Sequence, residues 1–134
     1  MMDSKTTNTN SEIVARITGS LYPFILLYGF YIIINGHVTP GGGFQGGAVL
    51  AAVFMSRYLS MPLFDINIAV LQTLEKIFFV CIVAVPVFFI FNQWRFNADF
   101  FNSMYFMVMN VLIGFKVCCG ISIIFFRFIF YEGK

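Results

Sequence analysis

Residues 36–47 read GHVTPGGGFQGG, and they separate two apolar runs, residues 13–35 and 44–61. A helix needs about 20 mostly apolar residues to cross the hydrocarbon core of a bilayer, and both runs approach that length. Between them, Pro40 fixes its own φ, while Gly41, Gly42 and Gly43 open backbone conformations closed to other residues. The stretch therefore predicts a sharp break between two membrane helices. The backbone groups it leaves unpaired near the membrane surface need water, a protein partner or an ion.

Two further apolar runs follow, at residues 71–93 and 103–126. They are continuous rather than alternating, which excludes a transmembrane barrel. The expected fold is an all-α membrane protein of four transmembrane helices without a sizeable soluble domain: a polar tail over residues 1–12, then a four-helix membrane domain over 13–134. The third helix is the hardest to bound. Its apolar centre is residues 77–91, so Glu75 and Lys76 fall at or just inside the membrane edge. Pro62 closes the second span, Asp65 is a candidate helix cap, residues 66–74 read as an interfacial first part, and Pro86 predicts a kink.

Composition agrees. Of 134 residues, 60% are hydrophobic, 19% aromatic and only 10% charged, against about 25% charged in a typical soluble domain. A net charge of +2 without a Lys/Arg cluster excludes nucleic acid as a partner. Cys81, Cys118 and Cys119 lie inside apolar runs, so they read as compact packing groups rather than a disulfide framework or metal site, and no cofactor is expected. The polar start lacks the basic region of a signal peptide, so the first span is expected to be retained. Lys5, Arg16, Arg57, Lys76, Arg127 and Lys134 gather on one side of the four spans and only Arg95 on the other. That bias predicts cytoplasmic termini and an outward-facing glycine loop in the cell (cytoplasmic or inner) membrane.

Small residues four apart mark faces where membrane helices approach closely. Gly47–Ala51 and Ala48–Ala52–Ser56 mark the second span. In the fourth, Asn110, Gly114, Cys118 and Ser122 form one stripe, with Lys116, Gly120 and Arg127 on nearly the opposite side. Two non-lipid faces on one helix predict contact with another subunit.

Gly41, Gly43 and Gly46 also satisfy G-x-G-x-x-G, with Asp65 some way downstream. A dinucleotide site needs that pattern after a strand in a βαβ unit; here it follows a membrane span, so nucleotide binding is excluded. The stretch instead resembles the signature of the MnhB/MrpB family, the B-type subunit of multisubunit Na⁺/H⁺ antiporters. Gly36, His37, Pro40, Gly41, Gly42, Gly43, Phe44, Gly46 and Gly47 carry the resemblance. The run from Asn110, NVLIGFKVCCGISIIFFRFIFYEG, is similar to the family's last helix. The resemblance is weak over residues 62–103. It implies a non-catalytic integral membrane subunit of a complex exchanging Na⁺ for H⁺. It also implies association with the small C-type subunit and with larger antiporter subunits related to respiratory complex I. Similar modules occur in membrane-bound energy-converting hydrogenases, where redox cofactors would sit on other subunits.

Three titratable residues are candidates for an ion or proton path. His37 is the only histidine, and histidine is the side chain whose charge changes nearest neutral pH; the bland alternative is a loop histidine bonding a carbonyl. Lys116 lies mid-span, where a cation is expensive unless paired or hydrated; its alternative is an ion-pair lock with a neighbouring subunit. No acid is expected within the four span centres to neutralise it. Glu75 comes closest, and only if the third helix begins earlier than residue 71; otherwise it is a solvated carboxylate at the membrane edge.

Overall fold

The computed structural model describes residues 4–38, 40–60, 67–93 and 99–132. Four helices follow in order: α1 (Ser4–Ile34), α2 (Gly42–Ser60), α3 (Ile68–Gln93) and α4 (Asp99–Glu132). The expected runs 71–93 and 103–126 lie inside α3 and α4, while 13–35 runs one residue past the end of α1 and residue 61 of the run 44–61 lies outside the described residues. Pro62, Asp65 and Arg95 lie outside the described residues. The start of α3 is instead capped by Asn67, whose Oδ1 accepts from the Ala69 N–H at 3.0 Å, satisfying an amide that helix geometry leaves without an intrahelical partner. α3 therefore begins at Ile68, three residues before the apolar run suggests, and Pro86 lies within it.

Among the described residues, three helices contain segments long and apolar enough to cross a membrane: Glu12–Ile34, Ile68–Phe91 and Asn102–Phe130. α2 is the shortest, and with its glycines, alanines and serines it carries no such segment among the described residues. The packing accounts for that composition. Among the described residues, α2 lies against both α1 and α4, whereas α3 touches only α4. The helix least suited to lipid is thus the one most enclosed by protein. Gly43, Gly46, Gly47, Leu50, Ala51 and Val53 are its buried residues.

The buried core is small, centred on Ile33, Leu50, Ala51 and Cys118, with Leu26, Phe30, Met55, Val111 and Ile121 packed around it. Large apolar side chains point outward on every helix, Phe24, Phe88 and Ile124 among them, as expected where the solvent is lipid. Three helix hydroxyls are satisfied within their own helix: Ser56, Ser60 and Thr73 each donate to the carbonyl four residues back, at 2.8–2.9 Å.

Candidate functional site

The glycines of residues 36–47 divide into two jobs. Gly41 and Gly42 turn the chain: their φ values of +145° and +75° are ones that side-chain-bearing residues rarely adopt. The later glycines are helical and serve contact. A Cβ on Gly43 would fall on the Asn110 carbonyl oxygen of α4, and one on Gly47 on the Gly114 carbonyl oxygen. On the other side of α2, a Cβ on Gly46 would overlap Ile33 and come within 2.9 Å of the Gly29 carbonyl oxygen of α1. In return, a Cβ on Gly114 would approach Ile33 Cδ1 to 2.7 Å. Backbones meet here without side chains between them, so α2 is wedged between α1 and α4, running parallel to α4.

The sequence reading places the second helix from residue 44 and treats Gly42 and Gly43 as loop. α2 instead starts at Gly42, because a contact to α4 requires a glycine already in the first turn. The predicted stripe of Asn110, Gly114, Cys118 and Ser122 is the α4 half of this interface: Gly114, Cys118 and Ser122 are buried, and the Asn110 amide lies against the backbone of Gly36 and Gly42. Ala51 is fully buried, as its Gly47–Ala51 spacing predicts, whereas Ala52 and Ser56 of the neighbouring stripe stay exposed. Phe44 and Pro40 are exposed.

The charged candidates assemble differently from expectation. Glu75 does not sit solvated at a membrane edge. Its Oε1 lies 3.1 Å from Lys116 Nζ, with the two side chains 30% and 32% exposed respectively. The pairing was expected only if the third helix begins before residue 71, and α3, starting at Ile68, meets that condition. The early start of α3 and its antiparallel register on α4 bring the pair together. That register is held by stacking of Phe78 on Phe115, with ring centroids 5.8 Å apart, and of Phe89 on Tyr105, 4.4 Å apart. The Lys116 ammonium also lies 5.2 Å from the centre of the Phe79 ring, which stabilises a cation by the ring's negative face. Lys76, adjacent in sequence, is exposed, as a one-residue rotation of the helix requires.

Lys116 is midway along the apolar span Asn102–Phe130. Holding an ion pair there costs desolvation of both charges, which their attraction only partly offsets. Its one-third exposure leaves it open to water, a partner or a transported ion.

His37 is exposed in the turn, and its Nδ1 donates to the Ile34 carbonyl oxygen at 3.1 Å, capping the end of α1. The structure does not join His37 to Lys116: the turn abuts Asn110, and the six residues from there to Lys116 rise about 9 Å along α4. Gly120, on the second α4 stripe, has open space where its Cβ would be. α3 covers that stripe at Lys116 and leaves Gly120 uncovered.

A short polar element inside apolar helices, with glycine-mediated backbone contact beside it, defines a multi-pass α-helical membrane protein built around an intramembrane ion pair. Comparison with known proteins gives the particular family. A family described as "Domain related to MnhB subunit of Na+/H+ antiporter" matches residues 13–130, and the chain belongs to it. Among similar proteins, one from Staphylococcus haemolyticus, named as antiporter subunit mnhB2, is 31% identical over 86 residues, covering 59% of this chain and 61% of its own length. One from Staphylococcus aureus strain Newman, with the same name, is 41% identical over 51 residues, covering 37% of this chain and 36% of its own. The chain thus spans about three-fifths or less of these relatives' lengths. A chain in the structure of the membrane-bound sulfane sulfur reductase, an archaeal respiratory membrane complex, superposes with a TM-score of 0.70 at 29% identity, over 84% of this chain and 55% of that one.

Proposed function

We propose that this chain is an integral, non-catalytic subunit of a multisubunit Na⁺/H⁺ antiporter complex and contributes to ion or proton passage through the Lys116–Glu75 pair. The observation that carries this reading is the 3.1 Å ion pair between two apolar helices. Ionisable groups inside a membrane are costly and mark ion or proton pathways by default, and a pair that opens and closes can pass a proton or exchange its cation. The family description supports the Na⁺/H⁺ chemistry, and the relatives named as antiporter subunits support the antiporter context.

His37 is a second titratable group, at the glycine turn, suited to exchange protons with water. Other membrane subunits are the expected partners, a C-type small subunit and complex-I-like antiporter subunits among them, with the open face around Gly120 available for contact. The charge bias across the spans supports cytoplasmic termini in the cell membrane.

The test is Na⁺-dependent ΔpH formation in vesicles containing the assembled complex, with Lys116→Ala and His37→Ala introduced separately. Loss of activity in a complex that keeps all its subunits supports the path role. Unchanged antiport from both variants would leave a purely structural, interaction-only subunit as the better reading.

The likeness to a respiratory complex favours a second setting, in which the same module couples ion flow to electron transfer carried by other subunits. Co-purifying iron–sulfur proteins would select it over a stand-alone antiporter.

A further inference from the structure

We infer that the glycine turn does not lie at the membrane surface but at the floor of a water-filled recess within the membrane. The helix ends set the depth. Gly36, Gly42 and Gly43 all abut Asn110, so α1 ends and α2 begins at the level of that residue. α4 continues its apolar span outward to Asn102, eight residues and therefore about 12 Å further. α3 keeps pace with it: Phe89 stacks on Tyr105 above the turn, and the α3 span runs on to Phe91.

The apolar band beside the turn is uninterrupted. α3 from Ile77 to Phe91 and α4 from Asn102 to Phe115 carry no charged residue. The α1–α2 turn is thus overtopped by a hydrophobic α3–α4 hairpin.

Irregular backbone at membrane depth persists only where protein buries it or water reaches it. At this level the structure presents the turn at residues 35–38, the positive-φ Gly41, and exposed His37 and Gln45 side chains. Outward-facing polar side chains select water over hydrocarbon or an apolar plug. Above the turn the α4 wall carries exposed Met107 and Ser103, one and two turns outward from Asn110 on the same helix face. The floor of the recess stands about 9 Å along α4 from Lys116, against about 21 Å from the outer end of the α4 span at Asn102, so a hydrated recess brings water and hydrated cations that much closer to the ion pair. Only this use as an ion entrance rests on the transport reading; the depth and hydration of the turn do not.

The experiment labels single added cysteines in open membrane fragments carrying the assembled complex, with a charged, membrane-impermeant methanethiosulfonate and the unsubstituted chain as background. Val38→Cys and Gln45→Cys report on the recess. Phe88→Cys, 72% exposed on α3 before substitution and above the level of Asn110, reports on hydrocarbon at comparable depth. Because the reacting species is a hydrated thiolate, the recess predicts both turn cysteines modified at least about tenfold faster than Phe88→Cys. Turn cysteines as slow as Phe88→Cys would mean that lipid or protein fills the space. Phe88→Cys as fast as the turn would put this whole level outside the membrane. Either result overturns the inference, and neither bears on whether the complex transports ions.

Discussion

Glu75 and Lys116 come from different helices, neither near the other in sequence, yet their charged atoms meet at 3.1 Å between α3 and α4. Among the described residues α3 packs on α4 alone, and the pair, the adjoining Phe78–Phe115 stack and the Phe89–Tyr105 stack further along fix its register. Removing either charge alone leaves the other in an apolar setting without its counter-ion.

Lys116→Met and Glu75→Gln are accordingly expected to destabilise the chain singly by about 1–3 kcal/mol. This is less than the 3–5 kcal/mol of a fully enclosed pair, because solvent or a partner reaches a third of each side chain. The double variant should regain most of the loss. Reversible unfolding in mixed micelles measures the cycle; additive single effects would mean that the pair contributes nothing.

The glycines of α2 and α4 separate by what their missing side chains make room for. Gly43→Ala and Gly47→Ala each drive a methyl group into an α4 carbonyl, and should cost about 1–3 kcal/mol by overpacking. Gly120→Ala meets nothing within 4 Å and should be neutral or slightly stabilising in the isolated chain, since alanine favours helix by roughly 1 kcal/mol over glycine. Thermal unfolding of the three variants side by side checks the ranking.

Gly41→Ala tests the turn itself. At a φ of +145°, with Ile32 Cγ2 3.1 Å from the added Cβ, the substitution should cost about 1–3 kcal/mol of backbone strain. Its melting temperature should fall while the helix content measured by circular dichroism stays unchanged.

His37→Ala removes one exposed hydrogen bond to Ile34, so stability should change by no more than about 0.5 kcal/mol. Any loss of transport in that variant is then a functional effect, and the pairing of an unfolding curve with a flux measurement makes the distinction.

The four helices were legible because apolar runs of membrane length leave few alternatives. The α4 stripe from Asn110 to Ser122 was legible for a related reason: small and polar residues at intervals of four stand out against phenylalanine. What escaped was tertiary. Gly42 and Gly43 look like loop when read alone, and only the approach of α4 explains why they begin a helix. The cap of α3 is Asn67, which attracted no notice beside Pro62 and Asp65. Glu75 looked like an edge carboxylate because its apolar surroundings begin at Ile77. Nothing local reveals the α3–α4 register that turns it toward Lys116. A mid-span lysine was itself the available signal, since such a charge demands a partner and Glu75 is the acid nearest a span centre. The two stretches carrying the family resemblance, far apart in the chain, prove to be one packed unit at Gly43, Gly47, Asn110 and Gly114.

The central claim is that the Lys116–Glu75 pair takes part in ion passage rather than only holding α3 to α4. The most direct measurement is Na⁺-dependent ΔpH formation in vesicles by the assembled complex carrying Lys116→Met together with Glu75→Gln, which removes both charges without orphaning either. If the pair takes part in ion passage, that complex keeps its full set of subunits and shows little or no antiport. Full antiport from that complex would contradict it.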